Sequence, residues 1–381
     1  MENLVINSMF NEIYSNKKVL ITGNTGFKGS WLTTWLLKLG AKVYGYSIDI
    51  PSKPSLFESL DLNSKIEHYY GDICDYNLLN GIVSKINPDF IFHLAAQPIV
   101  SRSYEDPRET FGTNVMGSVN LLEAYRNLAN KSVLVFITSD KCYENVEWTY
   151  GYRETDRLGG KDPYSASKAG AEIVFSTYHR SFFKTNKEKL AATARAGNVI
   201  GGGDWAANRI VPDAMTNWAK GTALEIRSPQ ATRPWQHVLE PISGYLRLGQ
   251  LLAEENFSHV GESFNFGPAY NQNHTVLELL TKLSNEWANY NSQIKSSIKI
   301  NEDKRFLEAN LLKLNCDKAL HQLSWEPVLD FENTIKYTAE WYYNFYFNDS
   351  QRSLYDFTIN QIQNFENSAL EKSIQWTISN N

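Results

Sequence analysis

The β-branched run Val19-Leu20-Ile21-Thr22 passes directly into Gly23-Asn24-Thr25-Gly26-Phe27-Lys28-Gly29, and this junction constrains the fold more than any other feature of the chain. A GxxGxxG turn between a strand and a helix has a physical purpose: one glycine permits the tight turn, another lets backbone approach a pyrophosphate, and the third lets helix and strand pack closely. The helix start adds amide donors and the positive end of its dipole. Beyond the turn, Trp31, Leu32, Trp35, Leu36 and Leu39 recur every three to four residues along one helix face, and Gly40 ends that helix. Lys42 to Ser47 then reads as a second strand, completing a βαβ unit. Asp49 stands 20 residues past Gly29 at the end of that strand. An acid there accepts hydrogen bonds from a ribose and repels a 2′-phosphate, so the pattern selects NAD over NADP, with Gly23, Thr25, Gly26, Phe27, Gly29 and Asp49 in the cofactor site.

The alternation continues through a strand at Glu67 to Tyr70, a helix at Tyr76 to Ile86, a strand at Phe90 to Leu94, a long helix near Arg108 to Ala129 and a strand at Ser132 to Thr138. A helix over Tyr164 to Phe183 and a strand at Leu190 to Arg195 follow. Strands this apolar are buried on both faces, so the fold class is α/β, a Rossmann-type doubly wound parallel sheet. After Gly201-Gly202-Gly203-Asp204-Trp205 the pattern turns irregular, with Pro212, Pro229, Pro234 and Pro241 as breakers. The predicted organisation is an N-terminal extension (1–17), a dinucleotide-binding domain (18–200), a smaller mixed α/β substrate domain interleaved with it (201–347), and a C-terminal helix with a loose tail (348–381).

Composition excludes several classes of function. A formal net charge of -5 with no Lys/Arg-rich run gives no reason to expect a nucleic-acid partner. No stretch nears about 18 consecutive apolar residues and the first 17 residues do not read as an export signal, so no membrane role is expected. Cys74, Cys142 and Cys316 are too scattered for a disulfide framework or a metal site, which fits a reducing cytoplasm and no metal.

Tyr164-Ser165-Ala166-Ser167-Lys168 puts a phenol and an ammonium at i and i+4 on one helix face. A cation beside a phenol favours its ionised form, so the spacing predicts a lowered pKa and a general base near neutrality. With the glycine turn and the strand end His93-Leu94-Ala95-Ala96, the chain resembles the extended short-chain dehydrogenase/reductase family, over roughly Lys18 to Leu329. Four further runs narrow the resemblance to the nucleotide-sugar dehydratases of that family: Gly23 to Trp31, Ser139-Asp140-Lys141-Cys142-Tyr143, Asn198 to Trp205, and Arg233-Pro234-Trp235-Gln236-His237-Val238.

The resemblance implies a lyase acting on CDP-D-glucose. NAD oxidises C4 by hydride transfer, water is eliminated across C5 and C6, and the hydride returns to C6, giving CDP-4-keto-6-deoxy-D-glucose. It gives Tyr164 the C4 hydroxyl proton, Lys168 the nicotinamide ribose, Ser139 the C4 oxygen and Asp140 the proton for the departing C6 hydroxyl. In dTDP-glucose relatives a glutamate follows that aspartate as the C5 base; here it is Lys141, either a neutral amine acting as base, the reading preferred, or a cation stabilising the enolate. Asp72 and Ile73 after the third strand, Leu94, Ala95 and Ala96, and Thr113 and Asn114 in the long helix join the cofactor set by the same resemblance. Asn198 and the guanidinium groups of Arg209, Arg233 and Arg305 are candidates for the substrate and its diphosphate. A homodimer through the helices at 108–129 and 164–183, and a place in deoxysugar supply for a bacterial surface polysaccharide, are also implied. Selection of cytosine rests on resemblance alone. A 4-epimerase or another dehydratase of the same fold, and a non-catalytic NAD sensor, remain the alternatives.

Overall fold

A computed structural model describes residues 8–270, 272–290, 296–301, 311–347 and 353–378. Its centre is a sheet of seven strands: β1 (Lys18–Thr22), β2 (Lys42–Ser47), β3 (Glu67–Tyr70), β4 (Phe90–His93), β5 (Ser132–Ile137), β6 (Lys189–Ala196) and β7 (Ser263–Phe266). Their order is β7-β6-β5-β4-β1-β2-β3, with every pairing parallel. Successive side chains of a strand point to opposite faces, and here both faces are covered. Val19 and Ile21 enter one apolar cluster and Leu20 the other; Val133 and Val135 oppose Leu134 and Phe136 in the same way. That explains why these strands read as unbroken apolar runs.

The helices that matter for the site are α1 (Phe27–Lys38), α2 (Tyr76–Ile86), α3 (Gly117–Arg126), α4 (Pro163–Tyr178), α5 (Ile210–Ala219), α6 (Leu239–Ala253), α7 (Phe331–Phe347) and α8 (Leu354–Glu371). The expected single helix over 108–129 is interrupted: Pro107–Phe111 runs into a π-turn at Gly112–Met116 before α3 begins. The other predicted helix likewise ends in a π-turn, His179–Phe183. Such turns insert one residue into the helical ladder, and the first of them carries the buried Asn114.

The sequence reading expects a second domain interleaved with the first, and in the sheet a segment after residue 200 completes the first layer: β7 pairs with β6, and α6 packs against β5 and β6. The stretch before residue 18 is no appendage: Phe10 and Tyr14 are buried, and Phe10 stacks on Trp376 with ring centroids 4.9 Å apart. The C-terminal segment is helical, and the described stretch after the helix is packed, with Trp376 buried. Helix α8 lies on α1, where Trp35 Nε1 donates to Glu366 at 2.8 Å and Lys38 pairs with the same carboxylate at 2.5 Å. This cover is why α1 is buried continuously from Gly29 to Leu36 instead of along one stripe. Among the described residues no helix is long and apolar enough to cross a membrane.

Candidate active site

Register sets the site. Thr22 pairs with His93, Ile137 with Ala194 and Phe266 with Ala196, so the carboxyl ends of β1, β4, β5 and β6 form a row, with β1 and β4 flanking the point where strand order reverses. A crevice at that edge is where an open α/β sheet takes its ligand. The glycine turn follows β1 there. Gly23 has φ +75, and a Cβ on it would lie 2.7 Å from the Ala95 nitrogen; one on Gly29 would lie 2.1 Å from the Gly23 oxygen. Gly26 differs, since its Cβ would meet nothing nearer than 3.4 Å. The first and third glycines therefore allow close protein contacts, and the middle one leaves an open approach. Gly26 is also the N-cap of α1 and offers no side-chain acceptor to the first-turn amides. A backbone cradle with an uncapped helix start fits a pyrophosphate.

Around the cradle, the Thr25 hydroxyl donates to the Asp49 carbonyl at 2.7 Å, holding the exposed Asp49 beside the turn, beyond β2. Leu94 N donates to the Thr22 carbonyl at 2.9 Å and Ala95 N to the Thr22 hydroxyl at 3.3 Å, and half-buried Ala96 follows. Asp72 is exposed and accepts from Cys74 N at 2.8 Å, capping a turn, while the cap of α2 is Asp75. Ile73 is buried in the core, at a point where Gly117 has no room for a Cβ (2.5 Å to the Ile73 side chain). Thr113 is half-buried and lies by Cys74. Asn114 is buried, with Oδ1 accepting from Gln97 N (2.8 Å) and Nδ2 donating to the Gln97 carbonyl (3.1 Å) and the Ser167 hydroxyl (2.8 Å). Its amide thus clamps the loop after β4 to α4.

Tyr164 and Lys168 occupy the first turns of α4, which Asp162 caps by accepting from Ser165 N at 2.9 Å and Pro163 opens. Both are buried, and the Lys168 Nζ lies 6.0 Å from the phenol ring centre. The lowered phenol pKa predicted from that pair is not what the chain alone produces: burial pushes Tyr164 up to about 12, and the neighbouring Ser139 hydroxyl and the charge of Arg209 offset this only in part. Burial likewise brings Lys168 down to about 8. His93, below them, is held down to about 3 by burial and by Lys168, so its ring is neutral where it meets the Thr22 hydroxyl at 2.7 Å. Ser139 also donates to Asp140 Oδ1 at 2.9 Å and accepts from Lys141 N at 3.2 Å. The Lys141 Nζ sits 3.8 Å from Asp140 Oδ2, and Gly197 makes room for that carboxylate, since a Cβ there would approach it to 3.3 Å.

A polar network unread in the sequence holds this loop. Glu172, one turn after Lys168, accepts from the Thr138 hydroxyl at 2.5 Å and from Arg195 Nη2 at 2.7 Å, all in the interior. Burial alone would raise that carboxyl, but Arg195 outweighs it and keeps Glu172 below the usual carboxylate range. Arg195 Nη1 donates to the Tyr143 hydroxyl (2.8 Å), which donates to Asn265 Oδ1 (2.8 Å) on β7. Thr138 and Tyr143 bracket Ser139-Asp140-Lys141, so both ends of the run are tied to one ion pair. The only sequence signal was an arginine near the end of a strand whose centre is alanine-rich.

On the substrate side, Asn198 is half-buried and its carbonyl accepts from Gln236 N at 3.3 Å. Arg209, just before α5, pairs with Asp204 at 2.9 Å, and its charge is among those that act on Tyr164. Arg233 is half-buried, its guanidinium donating to the Thr232 carbonyl at 2.8 Å, within a two-stranded ladder with His274–Thr275. Arg305 lies outside the described residues. Among those described, no cluster of His, Cys, Asp or Glu could hold a metal.

The chain matches the family model described as GDP-mannose 4,6 dehydratase over residues 20–338. It is 44% identical to a CDP-glucose 4,6-dehydratase of Salmonella typhimurium strain LT2, covering 86% of this chain and 91% of that one. Among solved structures it is similar to a UDP-glucose 4-epimerase of Thermotoga maritima solved with UDP-glucose (26% identity, TM-score 0.70, 85% of this chain and 97% of that one). In fold it also matches a dTDP-glucose 4,6-dehydratase of Streptomyces venezuelae with NAD and TYD bound (24% identity, TM-score 0.71, 86% and 97%). With a parallel sheet, a glycine cradle and a buried tyrosine–lysine pair behind these matches, the chain belongs to the GDP-mannose 4,6 dehydratase family, one of the short-chain dehydrogenase/reductase-type epimerases and dehydratases.

Proposed function

We propose that this chain is an NAD-dependent hydro-lyase that converts CDP-glucose to CDP-4-keto-6-deoxy-glucose. The observation that carries the reading is the meeting of two pairs at one strand end: buried Tyr164 with Lys168 on α4, and Asp140 bonded to Ser139 with Lys141 3.8 Å away. The first pair suits removal of a hydroxyl proton, the second elimination of water. An epimerase has no need of the second. The choice of CDP follows the 44% identical relative.

The glycine cradle, with Thr25, Phe27, Asp49 and the loops at 72–73, 94–96 and 113–114 around it, would hold NAD. When bound, NAD supplies a reversible two-electron acceptor and a positive charge near the phenol. Tyr164 takes the C4 hydroxyl proton, helped by that charge against the burial that holds the phenol near 12. Ser139 donates to the C4 oxygen. Lys168 orients the nicotinamide ribose. With a ketone at C4 the C5 proton is acidic; Lys141 removes it while Asp140 protonates the C6 hydroxyl, which leaves as water. For this step Asp140 must carry the proton and Lys141 must be neutral. Asn198, Arg209, Arg233 and Arg305 would hold the nucleotide and its diphosphate.

Incubation with CDP-glucose and NAD is expected to give a product lighter by one water, absorbing in alkali as a 4-keto-6-deoxy sugar does. Unchanged mass with a C4-inverted sugar would overturn the dehydratase in favour of an epimerase, and no change at all would leave a binding protein. UDP-, dTDP- and GDP-glucose, run in parallel, test the base.

The reading includes a cytoplasmic homodimer. Phe111 and Met116 near one long helix and Ile173 and Phe182 along the other are exposed apolar side chains that a second copy would cover. Light scattering at micromolar concentration should give twice the chain mass, and a monomer would remove the dimer from the reading.

A further inference from the structure

Asn265, within β7, is buried, and both polar atoms of its side chain are used. Nδ2 donates to the carbonyls of Tyr152 at 2.9 Å and Asn315 at 3.1 Å, which fixes the orientation of the amide and leaves Oδ1 to accept from the Tyr143 hydroxyl at 2.8 Å. Its backbone N–H donates to Glu154 Oε1 at 2.8 Å. One residue thus joins the edge strand of the sheet, the chain at 152–154, the chain at 315 and the end of the Ser139-Asp140-Lys141 run. The phenol it holds is equally committed. Arg195 Nη1 donates to the Tyr143 hydroxyl at 2.8 Å and to the Glu154 carbonyl at 3.1 Å, and the Tyr143 ring stacks on that of Tyr152 with centroids 5.3 Å apart. Burial pushes the phenol up, so the hydroxyl keeps the proton that it donates to Asn265.

What this assembly supports is a single turn. Asp140–Cys142 forms a 3-10 turn with Ser139 at its start and Tyr143 at its end, closed by long backbone bonds: Cys142 N to the Ser139 carbonyl at 3.2 Å and Tyr143 N to the Asp140 carbonyl at 3.4 Å. Ser139 is placed from the sheet, because only Thr138 separates it from β5 and the Thr138 hydroxyl is bonded to Glu172. Lys141 is nearer the other end, two residues before Tyr143, with its ammonium 3.8 Å from Asp140. Tyr164 and Lys168 ride on α4, a separate element. Loosening Tyr143 would therefore disturb the aim of Asp140 and Lys141 and leave the groups at C4 in place.

We propose that Tyr143 and Asn265 are positioning residues for the elimination: their hydrogen bond holds Asp140 and Lys141 at C5 and C6 and is dispensable for oxidation at C4. This rests on the dehydratase reading above. Tyr143→Phe removes only the hydroxyl and keeps the stacked ring. With CDP-glucose and NAD its kcat should fall about ten- to a hundredfold, the cost of a misplaced acid and base, with KM little changed. Exchange of the C5 hydrogen with deuterated water should fall in step. Single-turnover oxidation at C4 should keep its rate, so the absorbance of reduced nicotinamide builds up and decays slowly. A protein that had merely lost packing would lose both steps together. Asn265→Ser withdraws the acceptor from the other side and should give the same split, and the double variant should be no slower than the slower single one, because both changes break one bond. Thermal melting is measured alongside, and Asn265→Ser carries the test if Tyr143→Phe melts early. Equal losses at C4 and C5 overturn the proposal. If wild type dehydrates CDP-glucose and the variants do so at the same rate, the proposal falls and the dehydratase reading stands; if wild type itself eliminates no water, both fall.

Discussion

Replacing Tyr164 by phenylalanine should lower kcat by between about a hundredfold and ten-thousandfold, the range for loss of a positioned general base, with the KM for CDP-glucose little changed. Only the hydroxyl is removed, and the ring stays packed at the start of α4. The pH dependence makes the assignment specific. Because burial holds the phenol near 12 in the chain alone, its basic form is scarce at neutral pH and grows as pH rises. Wild-type kcat/KM should therefore climb with pH on the acid side, and the climb should be absent from the variant. Lys168, brought down to about 8 by burial, acts in the opposite sense, losing above that pH the charge that favours the phenolate. Steady-state rates across pH 5 to 9 on both proteins check this, and a variant that keeps both its rate and its slope would transfer the base role elsewhere.

Lys141→Met should abolish exchange of the C5 hydrogen with deuterated water, by about a hundredfold or more, while single-turnover oxidation at C4 persists. The two events are separable because different groups perform them: Tyr164 and Ser139 act at C4, Lys141 and Asp140 at C5 and C6. Mass spectrometry of the sugar recovered from deuterated buffer reads the exchange directly. Undiminished exchange would overturn Lys141 as the base and leave it the role of a cation beside the enolate, since methionine keeps most of the bulk of the side chain and removes its ammonium.

Features set by local chemistry were legible in the sequence. Strand β2 and helix α2 fall where apolar periodicity puts them, because a largely buried strand and a one-sided helix each leave a clear pattern. The glycine turn was legible for the same reason, each glycine answering a backbone need visible within seven residues. What escaped depends on partners far away in the chain. Phe10 and Trp376 sit in polar stretches with too few apolar neighbours for any period, and each is buried because the other end of the chain meets it. Glu172 and Arg195 are 23 positions apart and look like ordinary charges until α4 and β6 bring them together. The phenol was misjudged because spacing reveals the neighbouring lysine but not the burial that outweighs it.

The tie from Arg195 through Tyr143 to Asn265 bears on how the protein is made. Every residue given a part in the chemistry at C4, C5 and C6 has been synthesised by the time the ribosome reaches Lys168, yet the anchor of the Ser139-Asp140-Lys141 run is delivered almost a hundred codons later, when Ser263–Phe266 adds itself to the edge of the sheet. Until then Tyr143 has no Asn265 to hold, and the guanidinium of Arg195 lacks one of its acceptors, Ser263. A nascent chain can thus carry the full catalytic sequence with its acid and base still unanchored, and competence arrives late in translation, with the last strand of the sheet.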